Sequence, residues 1–142
     1  MKDVPQTTGD VDFSAPDGFL HKSAVKAYGY QVTYEFPPNK EIDLDLALRA
    51  TQAGILYAGF DVVDVDTEQF FVIAHRGSSL YYNIEYVGMY LKQDEAGIRA
   101  KIFASGNPLP QWHTKEINRI IENIKTGTTQ FINAEMRQRE LH

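Results

Sequence analysis

The densest set of possible metal ligands is an acidic run in the middle of the chain. Asp64, Asp66 and Glu68 alternate with other residues, as in the opening of a calcium-binding loop. The pattern then departs from that loop, because Gln69 stands where glycine is required and His75 where a bidentate glutamate is required. Aspartate is also common in tight turns, where its carboxylate accepts hydrogen bonds from the local backbone. We therefore expect a solvated hairpin tip and no metal site.

A possible catalytic group follows this run. His75 is a potential general base, and Ser78 and Ser79 are potential nucleophiles in the same turn. No GxSxG or SxxK motif accompanies them, and the other histidines lack metal-ligand spacing. Glycine and serine also occupy such positions for turn geometry alone. A hydrolase or isomerase that uses His75 is therefore a remote alternative, and we assign no catalytic residue and no enzyme activity.

Tyrosines on strand-like stretches form a third candidate site. Pockets for small ligands combine an apolar wall with a few polar groups, and tyrosine supplies both. The same rings could instead fill a core, with each hydroxyl at the wet rim. Trp112 could cover such a cleft, contact a partner protein, or only pack at the start of a helix. If a cleft exists, we expect its ligand contacts from Tyr30, Tyr34, Tyr82, Tyr86 and Trp112.

Charge and composition limit the possible partners. The formal net charge of −5 gives no basic field for a phosphate backbone, so we expect no nucleic-acid partner. A local cluster of cations could still bind an anion or a protein, although a solvated surface is the alternative; its members would be Arg76, Lys92, Arg99 and Lys101. The chain has no cysteine, which excludes disulfides and thiolate sites. No stretch is long and apolar enough for a transmembrane segment, and we expect no cofactor.

The elements that would position these residues begin with a helix followed by a hairpin. Apolar residues recur at helical spacing and place one stripe on a helix, namely Leu44, Ala47, Leu48, Thr51, Ile55 and Ala58. Asp43 can cap the start of this helix, and Gly59 can end it in the left-handed conformation. Residues 60–65 and 70–74 then read as two strands joined by a polar turn.

Three further strands show apolar alternation. They are predicted at residues 28–36, 80–92 and 98–104, and Gly88 predicts a bulge or bend within the second of them. Residues 106–110 predict a rigid loop, because they include two prolines and a glycine.

A second helix is predicted after Thr114, which can cap it. Its apolar stripe consists of Ile117, Ile120, Ile121 and Ile124. Beyond Gly127 the pattern either continues the same helix or begins a new one. Residues 1–22 predict a flexible tail, of which Val11, Phe13, Phe19 and Leu20 could contact the body, and residues 23–142 predict a single α+β domain.

The fold class follows from this order, β-α-β-β-β-β-α. Strands joined by short turns must be antiparallel, because a parallel pair needs a long crossover. We therefore predict a two-layer α+β fold with a mostly antiparallel five-stranded sheet and two helices on one face.

Residues 53–63, with the sequence AGILYAGFDVV, lead into residues 70–74, with the sequence FFVIA. In this passage, and in element order, the chain resembles small bacterial envelope domains of the helix-grip (TBP-like) type, often found as lipoprotein modules. The resemblance implies binding or assembly rather than catalysis, and a location in the periplasm or cell envelope. It transfers no site residues, and the cytoplasm is the alternative location.

Three functions follow from these observations. The first is a non-enzymatic bacterial accessory domain that binds another protein through an exposed sheet face or the Trp112 loop. The second is a carrier for a small apolar ligand, bound in the tyrosine-lined cleft between sheet and helices. The third is the His75-dependent enzyme. The sequence does not indicate an oligomeric state.

Overall fold

The sheet and helices follow the predicted α+β order, with one additional strand. The structure is a computed structural model that describes residues 4–20, 26–76, 84–110 and 114–141. Its elements are β1 (Gly18–Leu20), β2 (Lys26–Glu35), α1 (Leu44–Tyr57), β3 (Asp61–Asp66), β4 (Phe71–His75), β5 (Tyr86–Asp94), β6 (Gly97–Pro110) and α2 (Thr114–Glu140). A short 3-10 turn, Thr8–Asp10, precedes β1.

Helix α1 begins and ends at the predicted residues. The Asp43 carboxylate accepts a hydrogen bond of 2.8 Å from the backbone N–H of Leu46, which satisfies one of the free donors of the first turn. At the other end, Gly59 has a φ of +92°, and its N–H donates to the carbonyl of Leu56. Phe60 follows and is buried. The predicted cap and stop signals are both confirmed.

All strand neighbours in the described sheet are antiparallel, as predicted. The order across the sheet is β1-β2-β6-β5-β4-β3. Strands β3 to β6 form a meander, and α1 carries the chain from β2 to the far edge, where β3 lies. Edge strands β1 and β3 therefore each pair on one side only within the described residues.

The strand alternation produces two apolar faces of unequal size. The larger core contains buried residues of both helices and the facing strand residues, including Ile55, Ile117, Ile120, Ile121, Ile124, Val32, Val72, Val87, Met89, Leu91 and Ile102. Both helices thus pack on one face of the sheet, as predicted. The opposite face carries a second cluster of Val4, Phe71, Ile73, Tyr90 and Phe103.

Helix α2 continues through Gly127 and resolves the alternatives left open by the sequence. A Cβ atom on Gly127 would lie 2.9 Å from the Cα of Gly54 and 2.7 Å from the Cβ of Tyr57. A Cβ atom on Gly54 would lie 2.4 Å from the carbonyl oxygen of Ile124. The two glycines allow the helix backbones to approach closely, so Gly127 marks a helix crossing rather than a helix end.

Residues 4–20 differ from the expected tail and supply the sixth strand. Strand β1 pairs with β2, with Phe19 opposite Tyr30. Val4 is buried in the second cluster, against which Val11 and Phe13 also pack. These contacts join residues distant in sequence, and the segment has no regular apolar period of its own. The predicted contacts of Val11, Phe13, Phe19 and Leu20 with the rest of the domain are confirmed, whereas the pairing of β1 with β2 was not predicted.

Two local predictions about the strands are wrong. Gly88 does not form a bulge, because it lies in register opposite Ile73 of β4 and Phe103 of β6. Residues 106–110 continue β6 instead of forming a loop, and Pro110 lies opposite Lys26 at the end of the strand. A proline is tolerated at a strand terminus because the missing N–H donor interrupts no interior ladder. Strand β5 begins at Tyr86, and the earlier part of the predicted strand falls largely outside the described residues.

Candidate functional site

The first two predicted ligand-binding tyrosines lie on the helix-covered face of the sheet. The Tyr30 ring contacts the ring of Phe19, with centroids 5.0 Å apart. The Tyr34 hydroxyl is 2.7 Å from the Thr129 hydroxyl of α2, and its ring lies edge-on to Phe36 at 5.0 Å. Tyr34 thus joins sheet to helix, as a core tyrosine does when its hydroxyl has a partner.

Tyr86 lies on the opposite face, where it packs against the second cluster. Its ring centroid is 4.6 Å from that of His75. The predicted set is therefore divided between two faces: Tyr30 and Tyr34 on one, Tyr86 on the other. Tyr82 and Trp112 lie outside the described residues. The tyrosine-lined cleft remains a prediction only for the part of the chain near those two residues.

The described surface grooves involve other residues. One, of about 370 Å³, lies between the loop after β2 and the β5–β6 turn. A second, of about 490 Å³, lies along the C-terminal half of α2. A third, of about 290 Å³, is lined by Val11, Asp12, Phe13, Ser14, Lys92 and Arg99. None of these three grooves is lined by Tyr30, Tyr34 or Tyr86.

His75 has an aromatic neighbour but no acid within reach in the described residues. Asp61 lies opposite it across the β3–β4 pair, yet no described carboxylate comes within 4.0 Å of the imidazole. Ser78 and Ser79 lie outside the described residues. A general base needs a positioned partner, so this arrangement gives the enzyme hypothesis no support.

The acidic run forms a hairpin tip, in the way that turn chemistry favours. One oxygen of the Asp66 carboxylate accepts hydrogen bonds from the backbone N–H groups of Glu68, at 2.8 Å, and Gln69, at 2.7 Å. In the residues that the structure describes, no three histidine or acidic side chains converge on a metal-binding position. This carboxylate stabilises the turn.

Three of the four predicted cations lie on the sheet face that the helices leave open, and Arg76 lies apart from them. Lys92 is opposite Arg99 across the β5–β6 pair, and both line one groove. Arg76 turns towards α2 and pairs with Glu116 at 3.0 Å. Arg99 pairs with Asp94 at 2.7 Å. Lys101 is fully buried, with an exposed fraction of 0%, and lies beneath the N-terminal segment. The sequence could not separate these environments, because each depends on a contact with a distant element.

The exposed edge of β3 is a surface that no side-chain motif in the sequence indicates. Val63 and Val65 have exposed fractions of 51% and 36%, although valine is usually buried. The register shifts at Val63, which forms a bulge between two paired residues. Asp61 and Asp64 are also exposed. We call this strand, with its valines and aspartates, the β3 edge surface.

Two exposed apolar residues precede the β3 edge surface in the chain. Leu56 and Tyr57, in the last turn of α1, have exposed fractions of 58% and 55%. Only a short turn separates them from β3. The sequence feature that could have identified this region is the run of apolar residues on both sides of Gly59. A hairpin with one buried face needs apolar residues only at alternate positions.

Comparison with protein-family models gives no match to this chain, and comparison with curated proteins gives none. In the described part of the chain, neither helix combines the length and apolar character needed to cross a membrane.

Proposed function

We propose that this chain is a non-enzymatic protein-binding domain whose partner adds a strand to the β3 edge surface. The observation that supports this function is the exposure of Val63 and Val65 on a strand that pairs on one side only in the described sheet. Such a strand presents free backbone donors and acceptors, which an extended segment can satisfy. The valine side chains supply apolar contact.

The charges of the β3 edge surface indicate the chemistry of that segment. Asp61 and Asp64 are exposed beside the valines, so a strand with lysine or arginine is complementary to them. Two copies of the chain paired through β3 would bring the exposed aspartates of both strands close together, which is unfavourable. The bulge at Val63 also restricts pairing with arbitrary strands. The partner is therefore a basic, β-prone segment of another protein.

The bacterial-envelope location implied by the family resemblance is part of this proposal. It is tested by fractionating cells that express the natural gene product and by locating the chain with an antibody. Recovery in the periplasmic or membrane fraction supports it, whereas recovery with cytoplasmic markers alone contradicts it.

Photo-cross-linking tests the β3 edge surface directly. Benzoylphenylalanine replaces Val63 in one protein and Leu141 in another; Leu141 is an exposed apolar residue, with an exposed fraction of 82%, at the end of α2. Each protein is irradiated in an extract of the source cells, and the adducts are identified by mass spectrometry. We expect an adduct that depends on the Val63 position.

The captured protein is then purified and titrated by calorimetry. The Val63→Lys variant should bind it about tenfold more weakly or worse, because a cation replaces an apolar contact opposite a basic segment. Leu141→Lys should leave the affinity unchanged. Equal adducts from both positions, or an affinity that Val63→Lys does not change, would contradict the proposed binding mode.

A further inference from the structure

The N-terminal segment, residues 4–20, covers the face of the sheet that the helices leave open. Before β1, its contacts with the sheet involve side chains. The Tyr90 hydroxyl donates to the carbonyl of Pro5, and the Thr8 hydroxyl donates to the carbonyl of Gln69 at 2.7 Å. The Lys101 ammonium donates to the carbonyl of Ala15 at 2.5 Å.

Before β1, the backbone–backbone hydrogen bonds of the segment are local, and its backbone contacts with the sheet are made to side chains. These bonds, such as that from Asp10 N–H to the Thr7 carbonyl, stay within the segment. No backbone–backbone bond reaches the sheet from residues 4–17 in the described structure. A segment held mainly by side-chain contacts belongs to the part of a protein that opens at low free-energy cost. Its attachment resembles that of a bound peptide.

The covered face contains polar groups where a permanent core would be apolar. Lys101 is fully buried beneath the segment, and the Asp17 carboxylate lies 3.7 Å from its ammonium. The Gln31 amide donates to the carbonyl of Pro16 at 3.2 Å. The Asp17 side chain is 51% exposed, so Lys101 is a buried charge without an equally buried counter-ion, which is costly in a permanent core. When the segment leaves the face, water can hydrate the Lys101 ammonium and the Gln31 amide.

The segment itself shows what chemistry the face accepts. It carries the acidic residues Asp10, Asp12 and Asp17 and the apolar residues Val4, Val11 and Phe13. The Lys92 ammonium lies 5.6 Å from the centre of the Phe13 ring. The face thus offers a cation beside an aromatic and aliphatic floor, and its occupant is acidic and aromatic, with turns before β1.

We propose that this face is a docking site for an acidic, aromatic segment of another protein, and that residues 4–20 occupy it in cis as a displaceable mimic of that segment. The site is separate from the β3 edge surface and would take a partner of the opposite charge. In the intact chain, tethering gives the cis segment a high effective concentration. A partner must therefore compete with it, which makes docking conditional.

The test uses the full chain with a specific protease site placed within residues 21–25. After cleavage, a fluorescent peptide with the sequence of residues 1–20 is added, and exchange is followed by anisotropy while circular dichroism follows the fold. We expect saturable exchange with an unchanged dichroism spectrum. A scrambled peptide of the same composition should not bind.

Peptide variants test which side chains of the segment are recognised, without any change to the cleaved protein that binds the peptide. The Asp17→Asn and Phe13→Ala peptides should bind about fivefold more weakly or worse, because they lose the Lys101 and Lys92 contacts. The Asp10→Asn peptide is the charge-matched control, since the Asp10 carboxylate bonds to Thr7 of its own segment, and it should bind like the parent. The cleaved Val63→Lys protein should bind the parent peptide with unchanged affinity. This control distinguishes failure of the present proposal from failure of the proposed β3 edge surface.

Three results would overturn the proposal. The first is a segment that neither leaves nor exchanges after cleavage. The second is a loss of folded structure when it leaves, because the face would then be an ordinary core. The third is an intact protein that dimerises with concentration and is dissociated by the peptide, because the occupant in trans would then be a second copy of this chain.

Discussion

The ring of Tyr90 lies directly over the backbone of Gly88, two residues earlier on the same face of β5. A Cβ atom on Gly88 would lie 2.4 Å from the Tyr90 hydroxyl oxygen and 2.7 Å from a ring carbon. Gly88 therefore makes room for a buried ring whose hydroxyl reaches the N-terminal segment. Close approach, and not a bulge, is the reason for glycine at this position.

Substitution Gly88→Ala should destabilise the protein. The new methyl group must displace the Tyr90 ring, and overpacking of this kind costs about 1–3 kcal/mol. The free energy of unfolding is measured by urea denaturation. Gly9→Ala is the control, because its Cβ would come no closer than 3.6 Å to the Thr7 hydroxyl. Equal effects at both positions would contradict the steric explanation.

Tyr90 should make the protein sensitive to alkali. Burial, with a smaller contribution from Asp10, raises the pKa of the Tyr90 hydroxyl well above its ordinary value of 10.0. The unfolded chain releases this proton first, so the stability due to Tyr90 is complete below the ordinary value and falls as the pH rises above it. Melting temperatures from about pH 8 to about pH 11 should fall more steeply for the parent than for Tyr90→Phe. Parallel curves would show that Tyr90 does not cause the loss.

The helix crossing predicts opposite effects at two adjacent residues of α2. Gly127→Ala should destabilise, because the Cα of Gly54 and the Cβ of Tyr57 in α1 occupy the space of the new methyl group. The ~1 kcal/mol gain in helix propensity cannot offset the cost of separating the helices. Thr126→Ala, at an exposed position, should be neutral or slightly stabilising. Thermal unfolding of both variants measures the difference. Stabilisation by Gly127→Ala would mean that the helices do not cross there.

The start of α1 offers a matched pair of aspartates. Asp43→Ala should lower the free energy of unfolding by about 1 kcal/mol, because the Leu46 N–H loses its capping acceptor. Asp45→Ala removes only an exposed ion pair with Arg49, of 3.6 Å, and should change stability by less than about 0.5 kcal/mol. Denaturant titration distinguishes the two, and a larger loss at Asp45 would contradict the capping role.

Local signals were sufficient to locate both helices, the hairpin and the antiparallel order of the strands. An apolar period, a capping aspartate and a glycine at positive φ act within a few residues, so their effect can be read from neighbouring positions. The four isoleucines of α2 and the Asp43 cap are examples. The same reasoning led to the α+β class, since short connections permit only antiparallel neighbours.

Contacts between distant residues determined the rest. Alternation relates residues to a face only within one continuous strand, and β5 begins at Tyr86. The sequence pattern therefore did not show that Tyr86 lies on the face opposite Tyr30 and Tyr34. The packing of residues 4–20, the burial of Lys101 and the exposure of the β3 valines depend on which elements become neighbours across the sheet. Burial and pairing are properties of the assembled layers, and no short stretch of this chain contains them.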